Sequence, residues 1–230
     1  VLAALLLTAS LVASSPAGGN IVFATPAGRR AALQAVAAAS LVGQGASPAA
    51  AEQLERYVEK DPELVGFELL QPKGWSLESQ KLKQNMWKDM GRTLLYTQGN
   101  QRIEVSVQPV DASKQKLSDF GTPEAFANAF ANSAAKVFAA PNPGEPTPVP
   151  KVKLLEVTAG EDLKRFLAQY RLEVQDRPAV VFEQLVGLGS GGEGRQFLYS
   201  LTAMAPEGEF DSSKETFAKI FGSFKFQQPN

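Results

Sequence analysis

The chain has 230 residues, with 23 Lys and Arg against 24 Asp and Glu, and contains neither cysteine nor histidine. A net charge of −1 offers no basic footprint for nucleic acid or anionic lipid. The missing residue types exclude a disulfide framework, a thiol nucleophile, a histidine base and the usual nitrogen ligand for zinc, copper or non-haem iron.

Residues 1–51 read as a targeting presequence. They hold no acidic residue and only two basic ones, Arg29 and Arg30, which leaves 21 basic and 24 acidic side chains for the remainder, the balance of an ordinary soluble domain. The opening VLAALLLTASLVAS is apolar but well short of the roughly 20 residues that span a bilayer, and resembles the hydrophobic region of a signal peptide. SPAGGNIVFATPAG follows, small, hydroxylated and acid-free like a transit segment. Arg29 and Arg30 then precede a second apolar run, Ala31 to Val42, which ends in small residues at Ala49 and Ala51, as in a twin-arginine export signal. The competing reading is an Ala-rich core helix, but the run has no large apolar face to pack and no acidic cap. Cleavage is therefore expected, with an N-terminal arm over 52–65 and one domain over 66–230.

The arm, EQLERYVEKDPELVG, is charged and reads as a helical turn or an extended segment. GFELLQPKGW then carries a short apolar run ended by Pro72, followed by Trp75. RTLLYTQGNQRIEVSVQPV reads as a hairpin turning at Gly99-Asn100. In its second arm Ile103, Val105 and Val107 alternate with Glu104, Ser106 and Gln108, which predicts one buried and one wet face and an antiparallel sheet.

A helix is expected next, capped by Thr122, with Pro123 at its first position and Glu124 on its dipole. Phe126, Phe130, Ala134, Val137 and Phe138 would form its inner stripe. PNPGEPTPVP, residues 141–150, can only be an extended loop. It reads as a stiff connection, with a docking surface as the other reading. KVKLLEV, RFLAQYRLEV, AVVFEQLVGL and RQFLYSLTAM are four strand-like runs, the second placing Phe166, Ala168, Tyr170, Leu172 and Val174 on one face. SSKETFAKIFGSF closes the chain as a helix, with Ser212 and Glu215 as a capping box. The pattern is an α+β domain, a central antiparallel sheet sandwiched by α-helices.

Candidate chemistry is sparse. GSGGEG, residues 189–194, matches the literal dinucleotide-binding spacing, but lies between two strands and carries Glu193, so it reads as a hairpin loop. Ser133 and Lys136 have the spacing of a serine–lysine pair, on an ordinary amphipathic helix. Glu207, Glu209 and Asp211 alternate as calcium-loop ligands can, without the closing Glu at the twelfth position, which is Ala218. Nothing assembles a nucleophile, a base and an oxyanion site, so no catalytic residue is expected and a hydrolase is the weakest reading.

Against that background, GFELLQPKGW (66–75), IEVSVQPVD (103–111) and LSDFGTPEAF (117–126) together resemble the PsbP family, as do the late FLYSLTAMAPEGEF and FGSF. The resemblance covers about residues 60–226. It implies an αβα sandwich, and a non-enzymatic extrinsic subunit in the thylakoid lumen of a chloroplast or complex plastid, peripheral to the membrane. Its partners would be the photosystem II core and other extrinsic lumenal subunits, with neither nucleic acid nor a small-molecule substrate. Such a subunit supports the oxygen-evolving complex and helps retain its calcium and chloride. The alternative is a family member that assembles or repairs photosystem II, photosystem I or another thylakoid complex. By the same resemblance, Arg56, Lys60 and Asp61 in the arm are docking candidates. Histidines proposed as metal ligands in the family have no counterpart, and Phe210 stands where the family has Trp. No cofactor of its own is expected, and an effect on calcium would come from covering the site, not from ligating the ion.

Overall fold

The computed structural model describes residues 53–60, 66–83, 90–111, 113–138, 149–160, 165–175, 177–190 and 195–227. Residues 1–51, read above as a presequence with Arg29 and Arg30, lie outside them, as do Asp61 and residues 141–148 of the proline-rich segment. The strands are β1 (Leu54–Val58), β2 (Phe67–Pro72), β3 (Ser76–Lys83), β4 (Met90–Gln98), β5 (Gln101–Val110), β6 (Lys151–Ala159), β7 (Arg165–Glu173), β8 (Val180–Ser190), β9 (Gln196–Pro206) and β10 (Lys225–Phe226). The helices are α1 (Pro123–Phe138), preceded by a 3-10 turn over Leu117–Phe120, and α2 (Glu207–Ser223).

Seven strands form one antiparallel sheet in the order β3-β4-β5-β9-β8-β7-β6, and β1-β2-β10 form a second. Period-two alternation lets the large sheet bury apolar side chains on both faces. On one face, Leu94, Tyr96, Ile103, Val105, Leu201 and Ala203 pack against Phe210, Phe217, Ile220 and Phe221 of α2 and against Phe67 and Leu69 of the small sheet. On the other, Phe126 and Phe130 of α1 meet Phe166 and Val186, while Ala131, Ala134 and Ala135 meet Tyr170, Leu172 and Phe182. This is the expected helix–sheet–helix sandwich, with a second sheet added beside α2.

Several local expectations hold for the reasons that suggested them. The Thr122 Oγ accepts a hydrogen bond from the Ala125 amide at 3.2 Å, capping α1. Alanines 127, 131 and 135 extend its stripe, so the helix sits close to the sheet. β4 and β5 form the hairpin, with Gln98 opposite Gln101 and Gly99 at φ 55, a left-handed conformation that suits glycine. β7 buries Phe166, Ala168, Tyr170 and Leu172 as the alternation requires.

Two expectations are corrected. β5 has no wet face, since Glu104, Ser106 and Gln108 are all buried. Leu95 and Thr202 flank Glu104 in register, and Thr93 and Ser200 flank Ser106, so an interior strand shelters side chains that alternation alone would leave exposed. The last helix starts at Glu207, not after Ser212. Pro206 ends β9, Glu207 and Glu209 complement the helix N-terminus, and the Glu207 amide donates to the Ala179 carbonyl at 2.9 Å. Ser212 then lies inside the helix and its hydroxyl donates to the Glu209 carbonyl at 2.7 Å, so the Ser212–Glu215 capping box is absent.

Candidate functional site

The described arm residues Leu54–Val58 are extended, but they are not free. Every residue of β1 pairs with β2, from Leu54 opposite Pro72 to Val58 opposite Glu68. Glu68 is the electrostatic centre of the small sheet: it accepts from Arg56 Nε at 3.1 Å, from a second Arg56 nitrogen, and from Lys225 Nζ at 2.7 Å. One carboxylate thus ties β1, β2 and β10 together. Lys225 foremost, and then Arg56, hold its carboxyl below the usual carboxylate range. The Arg56 side chain remains two-thirds exposed, so it can meet a partner while serving the sheet. Lys60 is exposed just beyond β1. Of the three docking candidates the described residues therefore place Arg56 and Lys60 along one short stretch, with Arg56 already engaged.

Beyond Val58 the chain is anchored to the large sheet. Glu59, buried, accepts two bonds from Arg92 of β4, Nε at 2.6 Å and Nη2 at 3.1 Å, and one from the Tyr57 hydroxyl at 3.0 Å. No local pattern in the sequence marks Glu59, because its partner lies 33 residues away.

The calcium candidates are not gathered. Glu207, Glu209 and Asp211 occupy the first turns of α2, where alternate positions diverge around the axis rather than converge. Glu207 is engaged by Arg171 of β7, Nε to Oε1 at 2.7 Å and Nη2 to Oε2 at 2.8 Å, and that guanidinium lowers its carboxyl's proton affinity. Among the described residues no group of three or more acidic side chains is arranged to hold a metal. Residues 191–194 of GSGGEG lie outside the described residues; the strands on either side, β8 and β9, pair antiparallel. Ser133 and Lys136 sit on α1, the first half-buried and the second exposed.

A polar seam runs through the large sheet that the sequence did not single out. Glu104, Thr202 and Gln184 stand side by side across β5, β9 and β8. Gln184 is fully buried, and neither its amide oxygen nor its nitrogen has a hydrogen-bond partner. The Tyr170 hydroxyl is likewise buried without a partner. Burial, with a smaller push from Glu104, raises the Tyr170 proton affinity so far that the phenol stays neutral.

No helix among the described residues is long and apolar enough to cross a membrane. The family model described as PsbP matches residues 52–226. The solution structure of cyanobacterial PsbP (CyanoP) from Synechocystis sp. PCC 6803 superposes with a TM-score of 0.53 at 19% identity, covering 82% of this chain and 100% of that one. The Ran-binding protein Mog1p of Saccharomyces cerevisiae gives 0.43 at 9% identity, over 77% and 97% of the two chains. LpqN of Mycobacterium tuberculosis, involved in cell envelope biogenesis, gives 0.35 at 16% identity, over 76% and 92%. No curated protein matches the chain.

Proposed function

Since the chain belongs to the PsbP family, whose model spans the fold from before β1 to the end of β10, we propose that it is a non-enzymatic extrinsic subunit of photosystem II. It works on the lumenal face of the thylakoid membrane. There it supports the oxygen-evolving complex and helps keep calcium and chloride in place by covering the site, with no cofactor of its own. The observation that carries this reading is the continuity of the family match with one closed domain. The absence of cysteine and histidine from the whole chain agrees with a covering role, because the side chains that most often ligate transition metals are missing.

Docking of such a subunit would be electrostatic at its rim, and Lys60 and Arg56 remain the arm's contribution to it. Asp61, the third candidate, adjoins them in sequence. The presequence with Arg29 and Arg30 would deliver the domain to the lumen and be removed there.

The deciding experiment is purification of oxygen-evolving photosystem II from the source organism with quantitative mass spectrometry. Equimolar recovery with core subunits, and calcium-dependent loss of oxygen evolution when the protein is stripped, is the expected result. Recovery only in partly assembled complexes would move the assignment to assembly or repair.

A further inference from the structure

Resting on the reading of the chain as a docking subunit, we propose that the outer face of the β6–β7 hairpin is its contact surface for an acidic protein partner. The hairpin's inner face is already occupied, since Val152, Leu154, Val157, Phe166 and Ala168 pack beneath α1. Its outer face is exposed at Leu155 and Leu167. On that side α2 lies over β9 and β8, and its Glu207 pairs with Arg171 of β7.

What the outer face displays is unusual for a solvated edge. Of the four large hydrophobic side chains exposed among the described residues, three belong to this hairpin or its approach: Val149, Leu155 and Leu167. Leu155 is there because a bulge places it between Leu154, opposite Tyr170, and Glu156, opposite Gln169, leaving it without a strand partner and 42% exposed. Around these leucines stand Lys151, Lys153 and Arg165, all exposed and without an ion pair among the described residues. Lys153 lies directly opposite Arg171, a like-charge juxtaposition that costs stability in an isolated sheet. Arg171 offers it no relief, being engaged by Glu207 and Glu173. Glu156 is the one carboxylate on the face outside those pairs, and it accepts from the Thr158 hydroxyl at 3.1 Å.

Lysines on an edge strand can simply discourage sheet-to-sheet pairing. That accounts for Lys151 and Lys153, but not for two leucines held out beside them. Surplus positive charge around exposed apolar side chains fits a partner with acidic groups around an apolar patch. The chain's own presequence cannot supply it, having no acidic residue in positions 1–51. A second copy meeting it through the same face would oppose cation to cation.

The test is rebinding of the protein to photosystem II membranes stripped of extrinsic proteins, comparing wild type with K151E/K153E, L155S/L167S and the charge-matched control K73E/K136E. Circular dichroism and thermal melts confirm that each variant is folded. The expected result is that K151E/K153E loses about tenfold or more in affinity and much of its salt dependence. L155S/L167S should bind more weakly with the salt dependence kept, and the control should bind like wild type. If K151E/K153E binds like wild type, or the control loses as much, the face is wrong while the functional reading stands. Equal, lysine-dependent binding to protein-free vesicles containing phosphatidylglycerol would replace the protein partner with lipid. Failure of wild type to bind would remove the functional reading and the face with it.

Discussion

Glu59 and Arg92 form a two-pronged ion pair in which the side chains are only 3% and 14% exposed, and it fastens the chain just past β1 to β4, the second strand of the large sheet. Removing one partner would leave the other's charge buried without its main counter-ion. Arg92→Met is therefore expected to destabilise by about 3–5 kcal/mol, measured by urea denaturation. The Glu59→Leu/Arg92→Met double variant should recover part of that loss. A double variant no better than the single one would mean that the pair's surroundings, not its charge, carry the effect.

Two glycines on β8 make room for aromatic rings. A Cβ on Gly189 would lie 1.9 Å from Phe226 Cε2, and one on Gly187 would lie 2.2 Å from the Tyr199 hydroxyl oxygen. Gly189→Ala is expected to cost about 1–3 kcal/mol by overpacking. Phe226→Ala in the same chain should make that alanine tolerable, although Phe226→Ala alone loses its contacts with Phe224 and Tyr199. Melting temperatures of the four proteins in this cycle give the coupling directly, and strict additivity would show that the clash is relieved elsewhere.

Acid stability has two opposing contributors. The Glu68 carboxyl titrates below its unfolded value, so its contribution is complete above the ordinary carboxylate range and fades as pH falls through the lowered one. Glu68→Gln should thus weaken the protein at neutral pH and leave it indistinguishable from wild type in strong acid. Glu183 is the reverse: burial raises its carboxyl despite Lys214, so ionisation opposes folding as pH rises through that raised value. Glu183→Gln should stabilise at neutral pH, with the gain disappearing below about pH 4. Denaturation midpoints across a pH series separate the two.

The buried hydroxyl of Tyr170 has no partner to lose. Tyr170→Phe is accordingly expected to be neutral or stabilising by up to about 1 kcal/mol, keeping the stack on Phe182 at 4.8 Å. Tyr170→Ala should cost about 3–5 kcal/mol. Gln184→Met, which removes two more unpartnered polar atoms, should behave like the phenylalanine variant. A clear loss in Tyr170→Phe would reveal that the hydroxyl is satisfied in solution.

Elements with strong local signals were readable in the sequence: the capped start of α1, the Gly99–Asn100 turn, and the alternation of β7. What escaped depends on long-range neighbours. β3 is mostly polar and exposed, because it edges the sheet, and no alternation marks it. β1 reads as a charged arm because its strand character comes from β2, and β10 is only two residues long. The start of α2 was misplaced because two acidic residues and a glycine resemble a turn until Pro206 and the Ala179 carbonyl define the helix entry. For the site, composition exposed what was missing, while the pairing of Arg56 with Glu68 and the crowding of cations at β6–β7 arise only when distant segments meet.

The first and last strands of the domain both lie on β2, with Val58 on one side of Glu68 and Lys225 on the other. Tension on the chain ahead of Leu54 would therefore meet the β1–β2 ladder first. Leu54 and Tyr57 also pack on the core that the small sheet shares with the large one, and the Glu59–Arg92 fastening lies next along the chain. An extracted β1 would leave β2 with one edge paired to β10 and the other open, its hydrogen-bonding groups free to take up another strand.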